Sequence, residues 1–410
     1  MMHRRLRLLA AVLLGAASSG CATLSYYTQA VHGQIRLMAQ RESIERLLHA
    51  PDTPAALKTR LALVLSIRNF ASRALKLPDN GSYRSYVALH RPYVSWVVFA
   101  APAFSLQPIQ WCYPVIGCAV YRGYFQHAGA TTLAGHLRRV GYDVYVGGVP
   151  AYSTLGWFSD PVLSTVIDWP ADQLAGLIFH ELAHQELFIA GDSRFDESFA
   201  VAVQEAGVDR WLEHHGTPAE RAAYRIRRQR QATLFRLIRA TRQRLVRLYA
   251  SAQPAAAKRV AKARLFDALV SEYRALETSW GGTPADAAGF AHDLNNAKLA
   301  ALETYQEYVP AFHILLAREH GDFAAFYRTA RALGRLPKRE RHQVLAAIAS
   351  GEPSQRRGAR DGAHAPEAHG TPGALATTEP TNPGQAPGPV PVSVPRRAGA
   401  GMPAPRPPGV

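Results

Sequence analysis

The sequence predicts an α+β fold that is predominantly helical, with a small sheet placed before the helix that carries the chemistry. Three observations lead there. Hydrophobic residues make up 48% of the 410 residues and charged residues 19%, a balance that supports a packed core and excludes a disordered chain. Apolar residues recur at helical spacing from Tyr26 to about Leu77 and again from Pro170 to Ser350. Between those stretches, β-branched and aromatic residues gather into short runs bounded by turn residues. The same composition excludes collagen, coiled-coil and multispanning membrane classes. A formal net charge of +16 predicts attraction to anionic surfaces without saying which.

In chain order, residues 1–20 read as a targeting segment and stand outside the fold. His3, Arg4, Arg5 and Arg7 form a basic start, and Leu8 to Gly15 is an apolar run too short to span a bilayer. Ser18-Ser19-Gly20-Cys21 resembles a bacterial lipobox, where small residues precede a cysteine that becomes the lipidated N-terminus. By that resemblance Cys21 is the lipidation site. Ala22, where an inner-membrane retention signal would have aspartate, places the mature protein in the periplasm, anchored to the outer membrane. Ser18 stands where the pattern usually has leucine, so the other reading is a secreted protein cut by ordinary signal peptidase.

Residues 22–190 are expected to form an α+β module. The helical pattern of Gln34 to Met38 and Ile44 to Leu48 breaks at Pro51 and Pro54 and resumes from Leu57 to Leu75. Strands are expected around Val94 to Phe99 and Val120 to Phe125, then a helix from Thr131 to Val140 and a strand from Tyr142 to Val146 ending at Gly147-Gly148. Asp79-Asn80 and Asn295-Asn296 read as turn or cap residues. With Cys21 assigned to lipid, Cys112 and Cys118 remain, and Pro114 and Gly117 between them let the chain turn back. A disulfide is expected there, closing a short loop for a gain of roughly 2 kcal/mol. Two free buried thiols are the alternative.

Residues 191–350 read as a helical module with breaks at Gly191, Gly216, Gly281-Gly282 and Leu336-Pro337. Ten arginines lie between Arg221 and Arg247, interleaved with apolar residues at helical spacing. A solvated helix face is the expectation, contact with anionic lipid or lipopolysaccharide is the functional alternative, and a periplasmic setting leaves no nucleic acid to bind. From 351 to 410 the chain is rich in Pro, Gly and Ala and holds 13 of the 28 prolines, so it is expected to be a disordered tail.

The chemistry concentrates in Phe179-His180-Glu181-Leu182-Ala183-His184-Gln185. Pro170 and Asp172 suit a helix start, Leu174, Leu177 and Ile178 form an apolar stripe, and Ala190-Gly191 suits a helix end. On that helix His180 and His184 are one turn apart on one face, where both imidazoles can bind a single zinc ion, with Glu181 beside it as general base. A catalytic zinc takes three protein ligands and one open position. A metzincin would place histidine at position 190, which is alanine. Glu197, in Phe195-Asp196-Glu197-Ser198-Phe199-Ala200 at the start of the next helix, can instead fold back past Gly191 to complete a His-His-Glu set.

Asp-Glu-Ser-Phe-Ala resembles the Asn-Glu-Gly-Phe-Ala stretch that carries the glutamate ligand in gluzincin aminopeptidases, with a shorter gap from the second histidine here. Residues 21 to about 348 resemble the predicted zinc aminopeptidase family of proteobacterial lipoproteins, in Gly20 to Ala30, Leu77 to Tyr83, Gly141 to Trp157 and His180 to Ala200. The resemblance implies a zincin-like metallopeptidase, one zinc ion and a peptide substrate. Gluzincins bind the substrate amine through a Gly-x-Met-Glu-Asn segment; this chain has none, and only Asp143 and Asp160 offer charge nearby. Tyr145 to Val149, followed by Ala151 to Thr154, is an expected substrate-pairing edge, with an ordinary edge strand as the alternative, and Tyr305 and Tyr152 are candidates for holding the oxyanion, with a structural role as the alternative for each. Two rivals to an aminopeptidase follow: an endopeptidase acting on envelope substrates, and a non-catalytic zinc-binding scaffold lipoprotein.

Overall fold

The computed structural model describes residues 25–113, 117–151, 153–282, 289–303 and 307–351. Cys21, the targeting segment, Tyr152, Tyr305 and the Pro-rich tail beyond Gly351 lie outside the described residues. The chain opens with a helix over 25–39 (α1), a two-residue strand Glu42–Ser43 (β1), a short helix Ile44–His49 (α2) and a long helix Ala55–Leu75 (α3). Pro51 and Pro54 fall in the gap between α2 and α3, where a residue without an N–H interrupts no helical bond.

Ser95–Pro102 (β3) is the central strand of an antiparallel sheet. Arg122–Tyr124 (β6) pairs on one side and Tyr142–Val149 (β7) on the other. Its side chains alternate between two cores. Val97, Phe99 and Ala101 join Val87, Val149 and Ala297, while Val98 and Ala100 pack on Ala130 and Ala134 of the helix His127–Arg139 (α4). A strand buried on both faces reads as one apolar run, and Val94 to Ala101 is such a run apart from Ser95 and Trp96. The strand expected to end at Gly147-Gly148 continues to Val149, because Gly147 and Gly148 stay in register with Val97 and Trp96. The ring of Tyr93 lies where a Cβ on Gly148 would come within 2.4 Å, so this glycine makes room for an aromatic ring and does not end the strand.

Two further sheets are small. β1 pairs with Ser85–Val87 (β2), which pairs in parallel with Val162–Leu163 (β8). Trp111–Tyr113 (β4) and Gly117–Ala119 (β5) form a hairpin in which Cys112 lies opposite Cys118, and the two are joined as a disulfide.

From Ala171 the described chain is almost wholly helical: Ala171–Glu186 (α6), preceded by the single turn Ser164–Ile167 (α5), then Ser193–His215 (α7), Pro218–Ala250 (α8) and Ala255–Ser279 (α9). Asn296–Glu303 (α10), Val309–Arg318 (α11), Phe323–Gly334 (α12) and Lys338–Ser350 (α13) complete it. The breaks at Gly216 and Leu336-Pro337 fall between helices, and α9 stops just before Gly281, whose φ is +76°. The turn between α8 and α9 was not among the expected breaks. Pro254 forces it, since proline cannot take a place inside a continuing helix.

One large core joins both halves of the chain. Ile44, Leu61, Ile67, Leu174, Phe179, Phe199, Phe312 and Phe326 belong to one cluster of fully buried side chains. The turn at 190/191 therefore lies within a core that residues from both sides of it share.

Candidate metal centre

Helix α6 is buried along its length from Leu174 to His184, including both histidines and Glu181. Such a helix sits inside the protein, and its polar side chains need partners or a ligand. It starts after Pro170 with Asp172 in the first turn, and it ends at Glu186, earlier than the expected close at Ala190-Gly191. Leu187 is extended and buried, so leaving the helix lets the chain place Leu187 in the core before it turns at Gly191, where φ is +81°.

The turn back into α7 is braced by buried ion pairs. Asp192 receives Arg341 through Nε at 2.9 Å and Nη2 at 2.6 Å, and lies 2.9 Å from His342 Nε2. Asp196 Oδ1 accepts the N–H of Ile189 at 2.8 Å. Where α7 crosses α6, a Cβ on Gly207 would come within 2.8 Å of the Phe179 ring and 2.7 Å of Leu75 Cδ1. Glycine at 207 therefore lets α7 lie close against α6 without displacing these side chains.

His180, His184 and Glu197 converge. The two Nε2 atoms are 3.1 Å apart, and Glu197 Oε2 lies 3.3 Å from that of His180 and 3.5 Å from that of His184. His180 Nδ1 faces Gln204 Oε1 at 3.1 Å; its N–H donates there, which leaves the Nε2 lone pair turned toward Glu197 and His184. Burial holds the His180 ring below its usual pKa against the pull of Glu197, which favours this neutral form. Burial would raise the Glu197 carboxyl, but it is held down at about 2 by the charge and hydrogen bonds that the two histidines would offer it when protonated.

The donor set fits a metal ion. Two imidazole nitrogens and a carboxylate oxygen turned on one another form a cluster of lone pairs, which a cation satisfies. Their separations match the edge of a tetrahedron around zinc, about 3.3 Å for bonds of about 2.0 Å. Three protein ligands would leave a fourth position for a reacting group.

Glu181 is buried, and neither carboxyl oxygen has a hydrogen-bond partner among the described residues. Burial, then the charges of Glu197 and Asp160, raise its proton affinity well above the carboxylate range. Two tyrosines sense this carboxylate. Tyr83 is 2% exposed, has φ of +61° and a hydroxyl with no partner among the described residues, and burial followed by the charges of Glu181 and Asp160 pushes its pKa up. Tyr121 packs its ring on Phe99 at 5.3 Å, and burial followed by the charges of Glu197 and Glu181 pushes its pKa above the phenol range.

Tyr83 is held by a loop that ties α6 to α3. Arg68, fully buried, donates to the carbonyls of Ser82 at 2.9 Å, Pro78 at 2.6 Å and Asn80 at 3.1 Å, so residues 78–82 wrap around one guanidinium. Asn80 Oδ1 accepts the Ser82 N–H at 3.0 Å, the turn role expected of it. Its Nδ2 also donates to Gln185 Oε1 at 2.7 Å, beside His184.

The carboxylates considered for a substrate amine are engaged elsewhere. Asp160 accepts Thr154 N–H at 2.9 Å, Thr154 Oγ1 at 2.8 Å and Ser153 Oγ at 3.2 Å. Asp143 pairs with Lys262 at 2.5 Å and accepts the N–H of Asn296 at 2.9 Å. β7 is an edge strand of its sheet, as expected, but its Val144 carbonyl is taken by Asn295 Nδ2 at 3.0 Å. A cavity of about 280 Å³ begins one helical turn before Glu197, lined among others by Leu106, Val120, Asp192, Arg194 and His342.

Gln204 is not among the expected site residues, and Tyr83 is expected only as the end of a family-like stretch. Gln204 lies seven residues after Glu197, two turns along α7, a spacing that would have placed it on the ligand's face.

Residues 25–345 match a protein family described as "Putative aminopeptidase". No curated protein and no solved structure matches the chain.

Proposed function

The chain belongs to this aminopeptidase family, and from that premise we propose that it is a zinc-dependent peptidase of zincin-like architecture. The observation that carries the reading is the convergence of His180, His184 and Glu197 beside an unpartnered, buried Glu181. Three ligands with an open position suit catalysis; a structural site is normally closed by four. Bound there, zinc would supply a Lewis acid that polarises water and the scissile carbonyl.

The protein's own groups do the rest. Glu181, free of donors and of high proton affinity, takes the proton from water and delivers it to the leaving amine. Gln204 fixes the tautomer of His180. Tyr83, whose buried hydroxyl has no partner among the described residues, is the first candidate for meeting the developing oxyanion, and Tyr121 is the second. The lipobox resemblance supports an enzyme tethered through Cys21 to the outer membrane and acting on peptides in the periplasm.

Cleavage at internal bonds is the second reading, favoured by the engagement of Asp143 and Asp160, neither of which is free to hold a substrate's amine. A mixed peptide library incubated with the zinc-loaded protein and with Glu181→Gln separates the two. Stepwise N-terminal loss with the wild type alone supports the aminopeptidase, and internal cuts support the endopeptidase. An intact library with zinc retained by both proteins would leave a zinc-binding scaffold.

A further inference from the structure

The α8–α9 hairpin, from Pro218 to Ser279, carries fifteen lysines and arginines against four acids, so eleven of the chain's sixteen net positive charges lie on it. These charges are sorted by position. Toward the body, Arg227 pairs with Asp172 at the start of α6, Arg228 with Glu205 at 2.6 Å and Asp209 at 2.9 Å on α7, and Lys262 with Asp143 on β7. Away from it, Arg225, Arg236 and Arg247 recur every eleven residues, which is three helical turns, and so form one row roughly 33 Å long. The row lies opposite the stripe of Leu234, Ile238 and Leu245, buried in a cluster with Phe266, Leu269 and Tyr273 of α9. These arginines and Arg239 are exposed, and none has a carboxylate partner among the described residues. Arg259, Arg264 and Arg274 of α9 are exposed as well.

Aliphatic side chains stand among these charges. Ile226, Val246 and Val260 are each half exposed or more. A phosphodiester backbone offers nothing to such side chains, whereas the boundary between lipid headgroups and acyl chains accepts them while the arginines meet the phosphates. We propose that the α8–α9 hairpin docks the folded protein on an anionic phospholipid surface through Arg225, Arg236, Arg239 and Arg247. Because Arg227 ties the base of the hairpin to the first turn of α6, such docking also fixes how the metal centre is presented to the bilayer.

The test uses the full chain with Cys21→Ser, so that attachment cannot come from an acyl group, and vesicles of phosphatidylcholine alone or with phosphatidylglycerol. The expected result is cosedimentation with the anionic vesicles only, falling steeply as salt shortens the screening length. Each basic residue near such a surface contributes roughly a fivefold gain, so changing the four arginines to glutamine should weaken binding by roughly 600-fold. All four are exposed, and an unchanged melting temperature shows that the variant is folded. Equal binding to neutral vesicles, or undiminished binding by the folded variant, would overturn the proposal. So would salt-sensitive binding to duplex DNA with none to vesicles, which would make nucleic acid the partner.

Discussion

Gln204 lies two helical turns beyond Glu197 on the same face of α7, and its side-chain oxygen meets Nδ1 of His180 at 3.1 Å. One helix thus carries both a proposed ligand and the group that would orient a second one. Replacing Gln204 by leucine leaves His180 free to take the other tautomer, and zinc affinity should fall about 10- to 100-fold, measured by competition with a chelator. Glu197→Ala removes a ligand outright and should lower zinc occupancy further. Unchanged metal content in Glu197→Ala would remove that residue from the ligand set.

Tyr83 allows a clean separation of stability from chemistry. Its hydroxyl is buried and has no partner among the described residues, so Tyr83→Phe removes no hydrogen bond from the resting fold. The melting temperature should hold or rise slightly. If the hydroxyl meets the oxyanion, kcat should fall about 100-fold or more with KM little changed. A KM effect alone would assign Tyr83 to substrate binding, and no effect would leave the role to Tyr121.

The histidine motif was legible because four-residue spacing on a helix is a local property, and Glu197 followed because its helix begins one short turn later. The helix end at Glu186 was not legible, since burial of Leu187 decides it against the local signal of Ala190-Gly191. Nor was the loop from Pro78 to Tyr83, whose shape is set by Arg68 on α3, a residue that sequence periodicity assigns only to a helix face. The strands β1, β2 and β8 have two or three residues each, too few to display an alternating pattern. The hairpin's charge was plain in the sequence, but its division into arginines paired with the body and arginines facing outward belongs to the tertiary structure.

Two glycines should respond in opposite senses. At Gly207 a valine would push into Phe179 and Leu75, and the overpacking, about 2–3 kcal/mol, exceeds the gain in helix propensity of under about 1 kcal/mol. Thermal unfolding should come at lower temperature, and zinc should bind more weakly as α7 is displaced from α6. At Gly135, on α4, an added Cβ would meet only Arg139 Nη1 at 3.8 Å, so Gly135→Ala should stabilise by about 0.5–1 kcal/mol without touching zinc binding. Equal responses at the two positions would show that close packing at Gly207 does not set the α6–α7 separation.

Asp160 makes a pH signature in stability. Burial raises its carboxyl to about 6, although Thr154 and Ser153 donate hydrogen bonds that work the other way. In the unfolded chain an aspartate titrates near 3.9, so between about 4 and 6 the folded state binds more protons than the unfolded one. Its contribution is therefore fully present below about pH 4 and is lost as pH rises through about 6, a loss of about 2–3 kcal/mol. Asp160→Asn cannot ionise and should lack this dependence. Denaturant unfolding of both proteins across that window reads out the residue together with the effect of its charge on Glu181. The difference in stability, variant minus wild type, should grow with pH and then level off above about 6. A flat difference would mean that Asp160 is ionised throughout and that its hydroxyl and amide partners outweigh its burial.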